Sequence, residues 1–278
     1  MNVQTAVHKA TGKARRAGDS RWLDRAARVG LASRGLLYLT VAVLAAGIAL
    51  GSASQTADKQ GAVQALADKP FGSVLLVVLI GGFVGLALWQ ATEAAWGRRD
   101  EDDDTKRMVK RAASAGKVLL YGALAATTAS VLFGRAKSGG DQQETAWTAK
   151  VLDLPGGRLL VGAAGLAVIA AGGWLVARGV RRKFEKHLDT ASMPRPLCRA
   201  TTVGGAVGHT ARGLVAGLAG LLLVKAAVSY DPQQAKGIDG TLRTIAAQPY
   251  GKVLLLLAAA GLAAFGLFCF VEARYRRL

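Results

Sequence analysis

The residues of this sequence best placed to do chemistry are charged ones standing at the edges of long apolar runs. Arg34 and Arg212 each open such a run, Glu93 and Glu272 each close one, and Lys117 opens a third. An ionised side chain is costly inside hydrocarbon, so a residue of this kind faces a bundle interior, finds a partner, or reaches back to the headgroups. A base and an acid at matching depth on adjacent antiparallel helices make an ion pair that fixes register. That is the expectation for Arg34 with Glu93 and for Arg212 with Glu272. Bases alone would hold an anionic lipid headgroup. A proton or ion relay would need further acids deeper in the runs, and the uncharged cores contain none.

Other chemistry finds less support. The run Asp100-Glu101-Asp102-Asp103-Asp104 lacks the glycine and the distant glutamate of a calcium loop and reads as a solvated linker. Cys198 and Cys269 are far apart and form no C-x-x-C, and His8, His187 and His209 are scattered, so neither a disulfide framework nor a metal site is expected. The sequence has no nucleophile elbow, H-E-x-x-H or glycine-rich phosphate loop. Enzymatic activity is not expected, and no cofactor is implied.

The elements that must position these charges are membrane spans. The 278-residue chain is 51% hydrophobic and yet 19% charged, with a net charge of +18 and a mean hydropathy of +0.28. Such a composition fits charges segregated from apolar runs. Basic residues sit in short connectors and not on one solvated face, which argues against nucleic-acid binding. A span needs about 20 mostly apolar residues. Uncharged cores at 35–57, 73–92, 118–134, 159–177, 213–224 and 253–271 predict six, the third being short and carrying Thr127, Thr128 and Ser130. Those hydroxyls are expected to bond to their own helix carbonyls. Glycines at helical spacing (Gly47 and Gly51, Gly81 and Gly85, Gly213 and Gly217) predict close helix contacts. The first run follows a long basic segment without a cleavage site, so it is expected to stay as a span. In the lead-in "SRWLDRAARVG", Arg21, Arg25 and Arg28 share one face, which predicts a surface helix attracted to anionic lipid.

Orientation follows from the bases. The N-terminus, the second and fourth connectors and the C-terminus, with their flanking helix ends, hold 26 of the 36 Lys and Arg. That side is expected to be the cytoplasm, with both termini on it, in a plasma membrane.

Repetition is the strongest internal signal. Arg34-Gly35-Leu36 returns as Arg212-Gly213-Leu214, and Pro70-Phe71-Gly72 as Pro249-Tyr250-Gly251. At the second offset Gly82 meets Gly261, Trp89 meets Phe268, Glu93 meets Glu272 and Trp96 meets Tyr275. A middle copy aligns Lys117 with Arg34, Tyr121 with Tyr38, Pro155 with Pro70 and Trp174 with Trp89, but places Arg178 where the others have the acid. Each copy reads as a basic lead-in, a span, an outer connector, a proline-marked restart and a second span. The proline suits the first turn of the second span. Before it, Ala62, Val63, Leu66 and Ala67 share one helical face, which predicts a short helix lying on the outer leaflet, with a re-entrant element as the other option.

These motifs, the R-G-L-L opening, "GAVQALADKPFG" and the E-x-x-W ending, resemble a bacterial membrane family, Domain of Unknown Function 1206, over residues from about 25 to 278. The resemblance implies three tandem two-helix modules and no particular activity. The expected fold is therefore an all-α membrane protein of six spans, as three parallel repeats about a pseudo-threefold axis along the membrane normal. Its divisions are a basic segment 1–27, repeats at 28–97, 113–187 and 204–278, and charged linkers at 98–112 and 188–203. Two functions fit: a structural, lipid-organising or partner-binding bundle, or a channel or transporter for a small solute along the axis. Anionic phospholipid headgroups are expected partners, with a membrane-protein partner or a second copy of the chain left open.

Overall fold

The computed structural model describes residues 21–51, 56–95, 104–134, 140–185 and 188–276. Those residues form nine α-helices and no named strand: α1 Arg21–Leu50, α2 Lys59–Ala67, α3 Gly72–Ala95, α4 Asp104–Leu132, α5 Gly140–Leu152, α6 Gly157–Val180, α7 Arg195–Ser229, α8 Ile238–Ala246 and α9 Gly251–Tyr275. Six of them, α1, α3, α4, α6, α7 and α9, are long and apolar enough to cross a membrane. The three short helices, α2, α5 and α8, gather at one end of the bundle, called here the connector end. Most bases flank the other, basic end.

Each repeat restarts through the same backbone device. Gly72 donates its N–H to the Lys69 carbonyl (2.8 Å), Gly157 to Leu154 (2.8 Å) and Gly251 to Gln248 (2.7 Å). The residue after each proline is left-handed: Phe71 at φ 63°, Gly156 at φ 77° and Tyr250 at φ 60°. Proline followed by a left-handed residue is a type II turn. The proline thus sits in a turn two residues before the helix and not in its first turn, where it was expected. The glycine that follows is obligatory, since a Cβ on Gly251 would lie 2.3 Å from the carbonyl oxygens of Ile245 and Ala246. Phe71 and Tyr250 are almost fully exposed, at 83% and 85%. Aromatic rings at that level suit a membrane interface.

The short helices cap the connector end and enter the core. The Asp58 carboxylate accepts from the Gly61 N–H (2.6 Å) and the Thr56 hydroxyl (3.0 Å), starting α2. Ala62, Val63 and Leu66 are then buried against the spans, on the face that the spacing predicts. Asp239, buried in the first turn of α8, accepts the Ala57 N–H at 2.7 Å and pairs with Arg243 at 2.8 Å. This ties the third repeat's connector to the first's.

The spans extend past the uncharged cores at their basic ends. The lead-in from Arg21 is continuous with α1 and is not a separate surface helix. α1 in turn stops at Gly51, which is left-handed at φ 74°, short of the expected 57. Arg111 crosses to α3 and donates to the Ala94 and Ala95 carbonyls (2.6 and 3.0 Å), closing its C-terminus.

Packing between spans follows the glycines. Gly165, Gly172 and Gly179 line one face of α6 at seven-residue spacing, against α7. A Cβ on Gly172 would meet the Gly213 oxygen at 2.7 Å and the Gly217 nitrogen at 2.8 Å, so the two backbones touch. Gly30 and Gly82 do the same for α1 with α3, and Gly35 and Gly266 for α1 with α9. Of the expected packing glycines, Gly213 serves and Gly217 is approached, whereas Gly81 faces open space and Gly51 ends a helix. Thr128 and Ser130 bond to the Leu124 and Thr127 carbonyls (2.7 Å each), as expected.

Around the bundle, α3 packs on α1, α1 on α9, α9 on α7 and α7 on α6, and at the other flank α3 packs on α4. The sixth interface of a closed ring, α4 with α6, is at most a passing contact. Equal contacts from a threefold relation are therefore not what the spans make.

Candidate functional site

Arg34, Arg212 and Phe265 meet in the half of the bundle nearer the basic end. Glycine is what brings their helices close enough. A Cβ on Gly208 would lie 2.6 Å from the Phe265 backbone, and one on Gly35 2.9 Å from the Gly266 oxygen. Helical side chains lean toward their helix N-terminus, which directs Arg34 of α1 and Arg212 of α7 toward the basic end and over the ring. The Arg34 guanidinium carbon is 4.8 Å from the Phe265 centroid, and that of Arg212 is 5.0 Å from it and 5.3 Å from the Tyr38 ring. Tyr38 itself meets Phe265 edge-on at 4.7 Å. Phe265 lies ten residues before the end of α9, about 15 Å along the helix. The cations are thus deeper in the bundle than one turn from its edge.

His209 sits beneath them in an aromatic cage. It stacks on Phe184 (5.1 Å) and meets Phe265 and Phe268 edge-on (5.1 and 5.2 Å), with Nδ1 2.8 Å from the Gly205 carbonyl. Phe184 comes from the segment joining α6 to α7, which folds back under the basic end. There the Asp189 N–H donates to the Tyr275 carbonyl (2.8 Å), and Leu188 bridges to Arg276.

Glu272 is buried, at 8% exposure, and its ion pair runs to Arg276, one turn along its own helix, at 2.8 Å. Arg276 also lies over the Trp89 ring at 4.6 Å. The expected partner of Glu272 was Arg212. In the structure Arg212 turns to the aromatic rings, and the nearer i, i+4 base takes the carboxylate. The side chain of Glu93 lies outside the described residues, and so does its expected pairing with Arg34. The acidic run at 100–103, His8 and His187 also lie outside them.

Arg178, at the position of the missing third acid, sits over Trp174 at 5.3 Å. It is within electrostatic reach of Glu272, Arg34, Arg276 and Arg212, and its buried Nε meets no acceptor among the described residues. Lys117 falls on the face of α4 that carries the buried Ser114, Tyr121, Ala125 and Thr128, yet it is exposed. Arg34, Arg212 and Glu272 therefore join one cluster. Sequence reasoning missed His209, Arg276 and Phe265 as members. The Glu272–Arg276 and His209–Arg212 spacings, one helical turn each, are the signals that pointed to two of them.

Guanidinium groups stay charged and donate hydrogen bonds in a fixed fork, so the arginines of this centre can hold an anion. Among the described residues no three of His, Cys, Asp and Glu come together to hold a metal.

The comparisons with known proteins agree with the repeat. The model of the family described as Domain of Unknown Function (DUF1206) matches three times, at residues 29–97, 112–182 and 207–276. The chain is also 30% identical over 257 residues to YxxB, an uncharacterized protein of Bacillus subtilis (strain 168), covering 92% of each chain. No solved structure matches it. With three tandem matches along its length and six apolar helices to carry them, the chain belongs to the DUF1206 family.

Proposed function

We propose that the protein is a lipid-organising bundle of the plasma membrane, not an enzyme, whose arginine centre takes up anionic headgroups of the cytoplasmic leaflet. The basic end faces the cytoplasm with both termini, because 26 of the 36 Lys and Arg flank it. The observation that carries the reading is the cluster itself. Arg34, Arg212 and Arg276 each lie within electrostatic reach of Arg178, and the buried carboxylate among them, Glu272, is already engaged by Arg276. An excess of cations in a partly dry site calls for an anion, and the surface they face is anionic.

The conduit reading gains little from this geometry. The middle of the bundle is occupied by Tyr38, Phe265, Phe83, Leu79 and Leu262, all buried, with two guanidiniums laid on the rings. Reconstitution decides between the two. Vesicles carrying the protein should be no leakier to small ions and sugars than empty ones, and saturable solute uptake would reject the proposal. Cysteine labelling in intact cells should reach 58–68 and 232–243 from outside and leave 98–112 untouched; labelling of 98–112 would reverse the orientation.

A further inference from the structure

At the connector end, α5 and the segment leading into α8 enclose a cleft of about 580 Å³, a size that suits a small organic molecule. One wall is α5, with Thr145, Ala146 and Ala149. The other belongs to the third repeat: Pro232 and Gln233 in the turn after α7, Lys236 before α8, and Gly240 and Arg243 on it. Both walls are fixed by bonds of their own. The Thr145 hydroxyl donates to the Ala235 carbonyl at 3.1 Å, which ties α5 to the turn. Within the turn the Asp231 carboxylate accepts the Gln233 N–H (2.9 Å) and the Gln234 side-chain amide (3.0 Å). Walls set before a ligand arrives spare it the entropic cost of ordering them.

The charges on those walls have one sign. Lys236 and Arg243 are exposed cations, and among the described residues that line the cleft there is no acid. Two carboxylates stand close by in the chain, Asp231 and Asp239, and both are engaged. Asp231 holds the turn, and Asp239 accepts the Ala57 N–H with one oxygen (2.7 Å) and the Arg243 Nε with the other (2.8 Å). That pair sets the direction of the Arg243 fork through Nε, and its Nη groups are donors that a ligand can take. Lys236 gives one of its three donors to the Thr244 hydroxyl, at 3.2 Å. Ala146, Ala149 and Pro232 supply apolar surface beside the cations, and the exposed Gln233 supplies an amide.

We propose that this cleft binds an organic phosphate monoester, its phosphate held by Lys236 and Arg243 and its organic part against Ala146, Ala149 and Pro232. A monoester is close to a dianion at neutral pH and has three oxygens to accept from both cations. The Gln233 amide then serves hydroxyls on the organic part. An occupant bridges α5 of the second repeat to the third repeat's connector. The same group is carried by soluble sugar and glycerol phosphates and by the headgroup of phosphatidic acid. The proposal does not rest on the lipid-organising reading, whose site lies toward the basic end.

Titration calorimetry of the full chain in neutral detergent tests it, with sn-glycerol 3-phosphate as the soluble probe and phosphatidic acid in the same detergent as the lipid one. The wild type should bind at least one of them saturably, and glycerol, which lacks the phosphate, should not bind. Lys236→Glu should weaken binding by about tenfold or more, since a charge-assisted bond is lost and a repulsion added. Ala146→Trp, which fills the cleft without changing its charge, should weaken it as well. Lys252→Glu, the same charge change on an exposed site of α9, should leave it unchanged. A melting transition close to that of the wild type shows that each variant folds. Tighter binding of glycerol phosphate, lost in Lys236→Glu and Ala146→Trp, upholds the site with a soluble ligand; tighter binding of phosphatidic acid, lost in the same variants, upholds it with a lipid. No saturable binding of either probe would overturn the site. Binding that persists in both variants would overturn it too, and would place the phosphate at the arginine centre.

Discussion

Arg34 and Arg212 stand 178 positions apart in the sequence and share one aromatic ring, with guanidinium carbons 4.8 and 5.0 Å from the centroid of Phe265. They are repeat-equivalent residues that converge from two helices on a third. Arg212 does not settle on Glu272, the acid of its own hairpin, which pairs with Arg276 instead. The shared ring is one of the contacts that join the first repeat to the third.

That relationship makes Phe265 the sensitive position. Phe265→Leu keeps an apolar side chain of similar size and removes the π face from both cations. It should cost about 2 kcal/mol, on the scale of a desolvated cation–π contact. Phe265→Ala should cost ~3–5 kcal/mol, because it also leaves a cavity. Denaturation of the purified variants measures both. A Leu variant as stable as the wild type would mean that the rings merely fill space.

Neighbouring glycines should behave oppositely. Gly172→Ala drives a methyl into the α7 backbone and should destabilise by roughly 1–3 kcal/mol. Gly173→Ala meets nothing within 4 Å and should be neutral or slightly stabilising, since alanine favours helix. The same contrast holds for Gly82→Ala against Gly81→Ala. Melting curves of the four variants give the answer, and equal effects within either pair would contradict the helix contacts.

Double-mutant cycles separate the acid's partners. Glu272→Ala with Arg276→Ala should show a coupling of about 1 kcal/mol or more, because either single change leaves a buried charge alone. Glu272→Ala with Arg212→Ala should be nearly additive. Strong coupling in the second cycle and none in the first would restore the hairpin pair that the sequence suggests.

At the connector end, Asp239→Ala would strand the buried Ala57 N–H and free Arg243, at a cost of ~1–3 kcal/mol. Asp239→Asn keeps an acceptor and should recover part of that. Hydrogen exchange at Ala57 is the readout. Unchanged protection in the alanine variant would show that the two connectors are held together by something else.

Much of this architecture is legible in the chain because membrane spans are selected by composition over some 20 residues, and repeats show themselves by self-comparison. Ala62, Val63 and Leu66 fall on the buried face that their spacing indicates. What the sequence conceals is decided between helices. Nothing local tells that Gly172 and not Gly173 meets a neighbour, or that Phe265 stands between an arginine of its own repeat and one of the first. Helix limits shifted for a related reason: an uncharged window stops at the first base, whereas a helix with long basic side chains continues to the level where they reach water.

The central claim, that the arginine centre is built for anionic lipid, is tested most directly by the melting temperature of the purified protein in neutral detergent as lipid is titrated in. The account predicts a midpoint several degrees higher with phosphatidylglycerol than with the same amount of phosphatidylcholine, as ligand linkage to the folded state requires. It also predicts that Arg34→Ala and Arg212→Ala each shrink the difference. Equal midpoints in the two lipids, or a difference untouched by both substitutions, would contradict it.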